Sequence, residues 1–233
     1  MDQAHNPDVL ALEECNGFTQ KSLEELAATW GHPYAVIVKE NGYPTGLTSK
    51  YPIADIRKIN ENMTHGFIMA KVENYNIVVL HLNPHLYKKR RAEIAQVVKN
   101  ISLQPDKKNW VIMGDFNSLS PLDKSRIKPD VQVARQQAAA QRNPKIENLV
   151  DGQQIDYQTQ QTMLDAGFVD AGRRYDDLQI VQTKKSVIAS DSRIDYIYIS
   201  KDTEKKLISC QFIYDDFTKK YSDHRPVIME LKQ

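Results

Sequence analysis

Apolar positions in this chain come in short runs, and most of the runs end on a polar or charged side chain. Strand-like stretches lie at 34–38, 46–49, 53–58, 66–72 and 76–82, most of them divided by turn residues such as Asn41-Gly42 and Glu73-Asn74. Pro7-Asp8-Val9-Leu10-Ala11-Leu12 is a further apolar strand that runs into Glu13-Glu14, and Val227-Ile228-Met229-Glu230-Leu231 closes the chain. Helical spacing is different. Leu23, Leu26, Ala27 and Trp30 recur at i, i+3, i+4 and i+7, with Ser22 and Glu25 spaced as a capping box and Gly31-His32-Pro33 as a stop. Ile94, Val97, Val98 and Ile101 mark a second amphipathic helix before the strand Trp110-Val111-Ile112-Met113, 161–166 reads as helix, and Gly167-Phe168-Val169-Asp170-Ala171 returns to the core. Successive strands, some joined by helices, fit two packed sheets with helices outside.

The stretch 122–160 breaks this rhythm. It is polar, with Gln-rich and Ala-rich parts such as Gln136-Gln137-Ala138-Ala139-Ala140-Gln141. It departs directly from Asn117, which places an excursion with one or two helices near the mouth of any site there. Such excursions set substrate choice; a surface flap without a role is the alternative.

A chain of 233 residues is long enough for one substantial core, and no linker or repeat divides it, so 1–233 is expected to form a single domain. Hydrophobic content of 41% with 26% charged residues excludes a disordered chain. No apolar run approaches the roughly 20 residues that cross a bilayer. Met1-Asp2-Gln3-Ala4-His5-Asn6 lacks the basic and apolar regions of a signal peptide, and the expectation is a soluble protein. Cys15 and Cys210 show no metal-ligand spacing and are expected to be buried free thiols. A net charge of +1 argues neither for a nucleic-acid partner nor against one, because a groove can be basic while the whole is balanced. Lys88-Lys89-Arg90-Arg91 stands apart, since cations in a helix's first turn oppose its dipole. Substrate binding and a solvated helix start are the two readings of it.

Chemistry gathers at strand ends. Gly114-Asp115-Phe116-Asn117 follows the Trp110 strand, and strand alternation would point Asp115 and Asn117 the same way. Asn76-Ile77-Val78-Val79-Leu80-His81 ends in a histidine, with His85 just beyond. Arg193-Ile194-Asp195-Tyr196-Ile197-Tyr198-Ile199 carries an aspartate inside an alternating strand, and Ser222-Asp223-His224-Arg225-Pro226 precedes the last strand. Asp195 and His224 read as a carboxylate orienting an imidazole for proton exchange, or Asp195 forms a structural ion pair with Arg193 or Arg225. His5, His32 and His65 have no such setting and are expected to be structural or exposed. No Walker loop, nucleophile elbow or dinucleotide fingerprint competes.

Strand ends bearing Glu, His, Asp-x-Asn, Asp and Asp-His, in that order, resemble the endonuclease/exonuclease/phosphatase superfamily from about residue 7 to residue 231. Gly46-Leu47-Thr48-Ser49-Lys50-Tyr51-Pro52-Ile53 is also similar to a family segment. The resemblance implies an α/β (α+β) four-layer sandwich, with two mixed β-sheets packed face to face and helices outside. It further implies a divalent-metal-dependent hydrolase of phosphate esters. His81 would bind the scissile phosphate, Asp115, Asn117 and His224 would hold and activate water, and His85 would be a second phosphate contact or a loop residue. Alternation together with the resemblance selects Glu14 over Glu13 as metal ligand, and Asp223 is the second. Two carboxylates without a thiolate favour Mg²⁺ or Mn²⁺ over zinc.

The substrate is a phosphate ester, either a nucleic acid or other diester or a sugar, inositol or lipid monoester. A noncatalytic binding protein that retains the scaffold is the alternative, and the intact set of acids and histidines argues against it. One departure stands out. The superfamily's first core strand, which bears an asparagine, is not matched by 1–6, because Asn6 is too close to Asp8 for a separate strand; either residues lie upstream or the site is built without them. The strand near 10–14 is therefore expected at a sheet edge.

Overall fold

The computed structural model describes residues 5–188 and 192–232. The elements are β1 (Val9–Leu12), α1 (Gln20–Thr29), β2 (Tyr34–Ile37), β3 (Gly46–Ser49), β4 (Ile53–Ile59), β5 (Phe67–Val72), β6 (Tyr75–His81), α2 (Tyr87–Ser102), β7 (Trp110–Asp115), α3 (Pro129–Arg142), β8 (Leu149–Val150), β9 (Gln154–Ile155), α4 (Gln158–Asp165), β10 (Val169–Asp170), α5 (Ala171–Thr183), β11 (Asp195–Ile199), β12 (Leu207–Phe212), α6 (Asp216–Tyr221) and β13 (Val227–Leu231).

Six strands form one sheet in the order β10-β11-β7-β6-β5-β4. Only β6 and β7 run parallel in it, and α2 makes their crossover. Both faces of this sheet are buried, and alternation sorts them. Phe67, Met69, Val78, Leu80 and Ile112 meet Ile94, Val97 and Ile101 of α2 and Met163 of α4. Ile68, Ala70, Ile77, Val79 and Val111 turn the other way, toward Val36, Leu47, Val9, Ala11, Val227 and Met229. On the far side of the second strand layer, Leu23 and Ala27 of α1 close a smaller core with Ala35, Ile37 and Cys15. Helix, sheet, sheet and helix thus give the four-layer sandwich.

The second layer comes in two antiparallel pieces, β1-β3-β2 and β12-β13. Among the described residues β1 pairs with β3 alone, so it is an edge strand, as expected for 10–14.

Local signals explain most boundaries. α1 begins three residues earlier than the spacing of Ser22 and Glu25 predicts. Its capping box joins Thr19 and Ser22: the Ser22 amide donates to Thr19 Oγ1 (3.1 Å) and the Thr19 amide donates to Ser22 Oγ (2.9 Å). Cys15 and Cys210 are buried free thiols, and burial pushes both well above the usual thiol range. No helix among the described residues is long and apolar enough to cross a membrane.

The polar excursion becomes α3 and the β8–β9 hairpin, and the basic run at the start of α2 holds it down. Arg90 is buried and donates to Asn83 O (3.0 Å) and Asn148 Oδ1 (2.6 Å). Arg91 pairs with buried Asp156 (2.7 Å), Lys88 reaches Glu147 (3.4 Å), and Lys89 donates to Asn62 O (2.7 Å). Arg90 and Arg91 are thus tied to the excursion, while Lys88 stays solvated at the helix start.

Candidate active site

Three strand ends meet side by side. In the register of the large sheet, His81 of β6 lies opposite Asp115 of β7, and Asp115 lies opposite Asp195 of β11. Asp115 is the last residue of its strand. The chain then turns left-handed at Asn117 (φ 49°), so strand alternation does not carry through to it. Instead the Asn117 amide donates to Asp115 Oδ1 (2.7 Å), and its side-chain Nδ2 donates to Leu82 O (3.0 Å). The carboxamide oxygen stays uncommitted among the described residues.

His224 arrives from the loop before β13. Its Nδ1 lies 2.9 Å from Asp195 Oδ2, which settles the partner of Asp195. Arg193 is occupied elsewhere, with Asp123 (2.7 Å) and Asp170 (2.5 Å), and Arg225 stacks over the Tyr214 ring at 3.8 Å. The hydrogen bond to Asp195 and the nearby carboxylates raise the His224 imidazole from 6.5 to about 9, so it is a cation at neutral pH. Burial first, and then the Asp195 charge, lifts Asp115 to about 7. Asp115, Asp195 and His224 offer ligand atoms all within 4.8 Å of one another, the one such group among the described residues.

The glutamate and the second acid depart from the sequence reading. Strand alternation puts Glu13 in phase with Val9 and Ala11, which face the other sheet. Glu14 follows the strand with φ 56° and is exposed. Although Glu13 as a residue is only half-buried, its Oε1 is sealed from solvent and has no hydrogen-bond partner. Burial, and then the charges of Asp195 and Asp115, push Glu13 up to about 8. Asp223 is exposed beside His224 and stands outside the ligand group. The structure thus gathers Asp115, Asp195 and His224, with Glu13 beside them; Glu14 and Asp223 are exposed, yet the charge of Glu14 still acts on Asp115 and that of Asp223 on His224.

Glu13 approaches β7 at a glycine. A Cβ on Gly114 (φ 141°) would stand 1.8 Å from Leu80 O and 3.1 Å from Glu13 Oε1. Gly114→Ala is therefore expected to cost at least about 3 kcal/mol, since a backbone clash cannot be relieved by a rotamer change. Thermal unfolding measures it, and an unchanged midpoint would contradict the close approach.

His81 is buried, with Nε2 3.6 Å from Asp115 Oδ2 and Nδ1 unpaired. Its ring stacks on His65 at 4.1 Å between centroids, and Tyr43 meets His65 edge-on at 5.9 Å. Burial, with the neighbouring rings and cations, lowers His81 to about 3 and His65 to about 4, so both are neutral imidazoles. His65 is structural, as its lack of a motif setting implied. Its role as a wall behind His81 is set by the fold, and no local motif announces it. His85 is exposed, and its backbone ties the loop: its amide donates to Asn83 Oδ1 (2.9 Å) and its carbonyl accepts from Glu147 N (2.7 Å).

Residues 3–224 match the model of the endonuclease/exonuclease/phosphatase family. The chain belongs to this family. No curated protein sequence matches it. Solved structures with the family's fold align over nearly all of the chain. An AP endonuclease from Archaeoglobus fulgidus is 14% identical, covering 97% of this chain and 89% of its own, at a TM-score of 0.63. The 3′ phosphatase NExo from Neisseria, bound to a product DNA hairpin, is 18% identical, covering 97% and 90%, at 0.65. An endonuclease/exonuclease/phosphatase from Beutenbergia cavernae is 14% identical, covering 97% and 63%, at 0.62. At these identities the likeness shows the fold, while the family match places the chain among phosphoesterases.

Proposed function

We propose that this family member is a divalent-metal-dependent phosphoesterase acting on nucleic acid. The observation that carries the reading is the row His81, Asp115 and Asp195 at adjoining strand ends, completed by His224 and faced by Glu13. The orphaned oxygen of Glu13 is what a cation would satisfy, for a buried carboxylate without a partner is costly. Glu13, Asp115 and Asp195 are carboxylates, and their hard oxygens fit Mg²⁺ or Mn²⁺. Held there, such an ion would supply Lewis-acid stabilisation of the charge that develops on the ester.

The remaining work falls to the side chains. Asp115, poised near neutrality, takes the proton of the attacking water. His224, held protonated by Asp195, donates a hydrogen bond to a nonbridging phosphoryl oxygen. The hydrogen bond to Asp195 favours the protonated imidazole, which supports giving the role of base to Asp115. Asn117 offers its carboxamide oxygen to the water, and neutral His81 binds an equatorial oxygen. The DNA-bound phosphatase and the AP endonuclease among the structural neighbours support nucleic acid as the substrate class.

Hydrolysis of bis(p-nitrophenyl) phosphate and of a 3′-phosphorylated oligonucleotide is expected to vanish on exhaustive chelation and to return with Mg²⁺ or Mn²⁺. Undiminished turnover in the chelated protein would rule the mechanism out.

A further inference from the structure

None of the residues of α6 is buried, yet the helix carries Phe217 and Tyr221, exposed by 52% and 64%. Spaced at i and i+4 they share one helix face, and their rings meet at 4.7 Å between centroids. Single exposed apolar residues are ordinary, but two touching aromatic rings on a helix that packs no core call for another reason. The start of the helix does not rest on them. A capping box holds it, in which the Thr218 amide donates to Asp215 Oδ1 (2.7 Å) and the Asp215 amide donates to Thr218 Oγ1 (3.2 Å).

Place and charge define what the rings would meet. Tyr221 stands three residues before His224, at most about 11 Å along the backbone, the span of a few stacked nucleotides at about 3.4 Å each. Ser222 links the two: its amide donates to Thr218 O (3.0 Å), and its Oγ accepts from the His224 amide (3.1 Å). A cleft of about 160 Å³ lies between α6 and His224, with Lys219, Asp223 and Arg225 on its walls. Lys219, Lys220 and Arg225 are all exposed. Lys219 pairs with Asp216 (3.2 Å), and Asp215 is spent on the cap. Lys220 and Arg225 have no ion-pair partner among the described residues; Lys220 Nζ lies 5.0 Å from the centre of the Tyr221 ring. Exposed rings edged by cations, opening toward a phosphate site, match the chemistry of single-stranded nucleic acid, which joins flat bases to an anionic backbone.

We propose that Phe217 and Tyr221 stack an unpaired base of the strand whose phosphate lies at His224, so that the protein favours a single-stranded or frayed segment over a closed duplex. The inference rests on the phosphoesterase reading for the position of that phosphate. A base inside a duplex already has both faces covered and offers none to the rings.

The test uses the full chain in chelator, so that nothing is cut, and fluorescence anisotropy with three labelled probes. These are a thymidine dodecamer, the same strand in duplex, and a dodecamer of tetrahydrofuran abasic units. The parent should bind the thymidine strand more tightly than either other probe. Phe217→Ala with Tyr221→Ala should weaken the thymidine strand by about tenfold and the abasic strand by less than twofold, since stacking needs a base. Tyr221→Phe, which keeps the ring, should bind as the parent does. Tyr34→Ala, an exposed ring at the end of the β1-β3-β2 sheet away from Glu13, should change nothing. Equal affinity in the parent and the double variant would overturn the platform, as would equal losses on the thymidine and abasic strands or no binding of any probe. Self-association of the parent that the double variant loses would overturn it in favour of a second copy. If the platform falls while the parent turns over bis(p-nitrophenyl) phosphate with Mg²⁺, the phosphoesterase reading stands. Ring-dependent binding of the thymidine strand by a parent that hydrolyses no ester does the reverse.

Discussion

Asp115→Asn is expected to lower turnover of a phosphate diester by on the order of 10²-fold or more, the usual cost of removing a positioned proton acceptor. The fold should survive. Asparagine keeps the oxygen that receives the Asn117 amide at 2.7 Å, so the left-handed turn after β7 retains its anchor. It also removes a buried charge beside Asp195, which lightens the electrostatic load on the sheet end. Steady-state kinetics on a sample with the parent's circular dichroism spectrum gives the answer. A folded variant within twofold of the parent would take Asp115 out of the mechanism.

The second large effect concerns stability without metal. Glu13 rises from its usual 4.5 to about 8, and Asp115 from 3.8 to about 7. Between those limits the folded protein holds protons that the unfolded chain has released, so stability falls as pH climbs through the window. His224 acts in the same direction later. Raised from 6.5 to about 9, its contribution is full below 6.5 and is lost as pH passes 9. The chelated protein should therefore melt at steadily lower temperature from about pH 4 to pH 9. Glu13→Gln removes the portion assigned to Glu13, and at pH 8 should stabilise the chelated protein by on the order of a few kcal/mol. Mg²⁺ should raise the melting temperature of the parent at that pH far more than that of the variant. Calorimetric scans across pH, with chelator and with Mg²⁺, measure both, and a melting temperature that climbs between pH 5 and 8 in chelator would contradict the buried glutamate.

Much of the sandwich was legible because its signals are local. The strands of the large sheet are short apolar runs set off by turn residues, and α1 and α2 show themselves by apolar spacing. The candidate cluster could be read as well: His81, Asp115 and Asp195 stand at ends of apolar strands, and His224 lies in the loop just before one. What escaped depends on distance. α5 carries few apolar residues, and much of its anchoring is ionic: Arg126, 50 residues upstream, binds its buried Asp176. The excursion is fixed by Arg91 and Asp156, which are 65 residues apart. His65, in the loop between β4 and β5, is placed by stacking on the His81 ring of β6. The glutamate is a different case. Counting in twos from Val9 through Ala11 leads to Glu13, and only the left-handed turn at Glu14 shows that the strand phase ends there. Asp223 was read from its neighbour, yet the loop turns His224 inward and leaves Asp223 in solvent.

Among the described residues β1 has a ladder on one side only, and Glu13 follows it directly. A strand zipped along a single flank can peel away without dismantling the sheet beneath it, and such local openings lie at the low end of a protein's free-energy scale. Deuterium should therefore enter the amides of β1 sooner than those of β6 or β7, which have partners on both sides. Each peeling event carries a carboxylate out of a cramped, charged corner into water, where it ionises freely. An ion gripped by Glu13 would hold the flap shut, so that slowed exchange at Val9–Leu12 on adding Mg²⁺ becomes a readout of occupancy that needs no substrate.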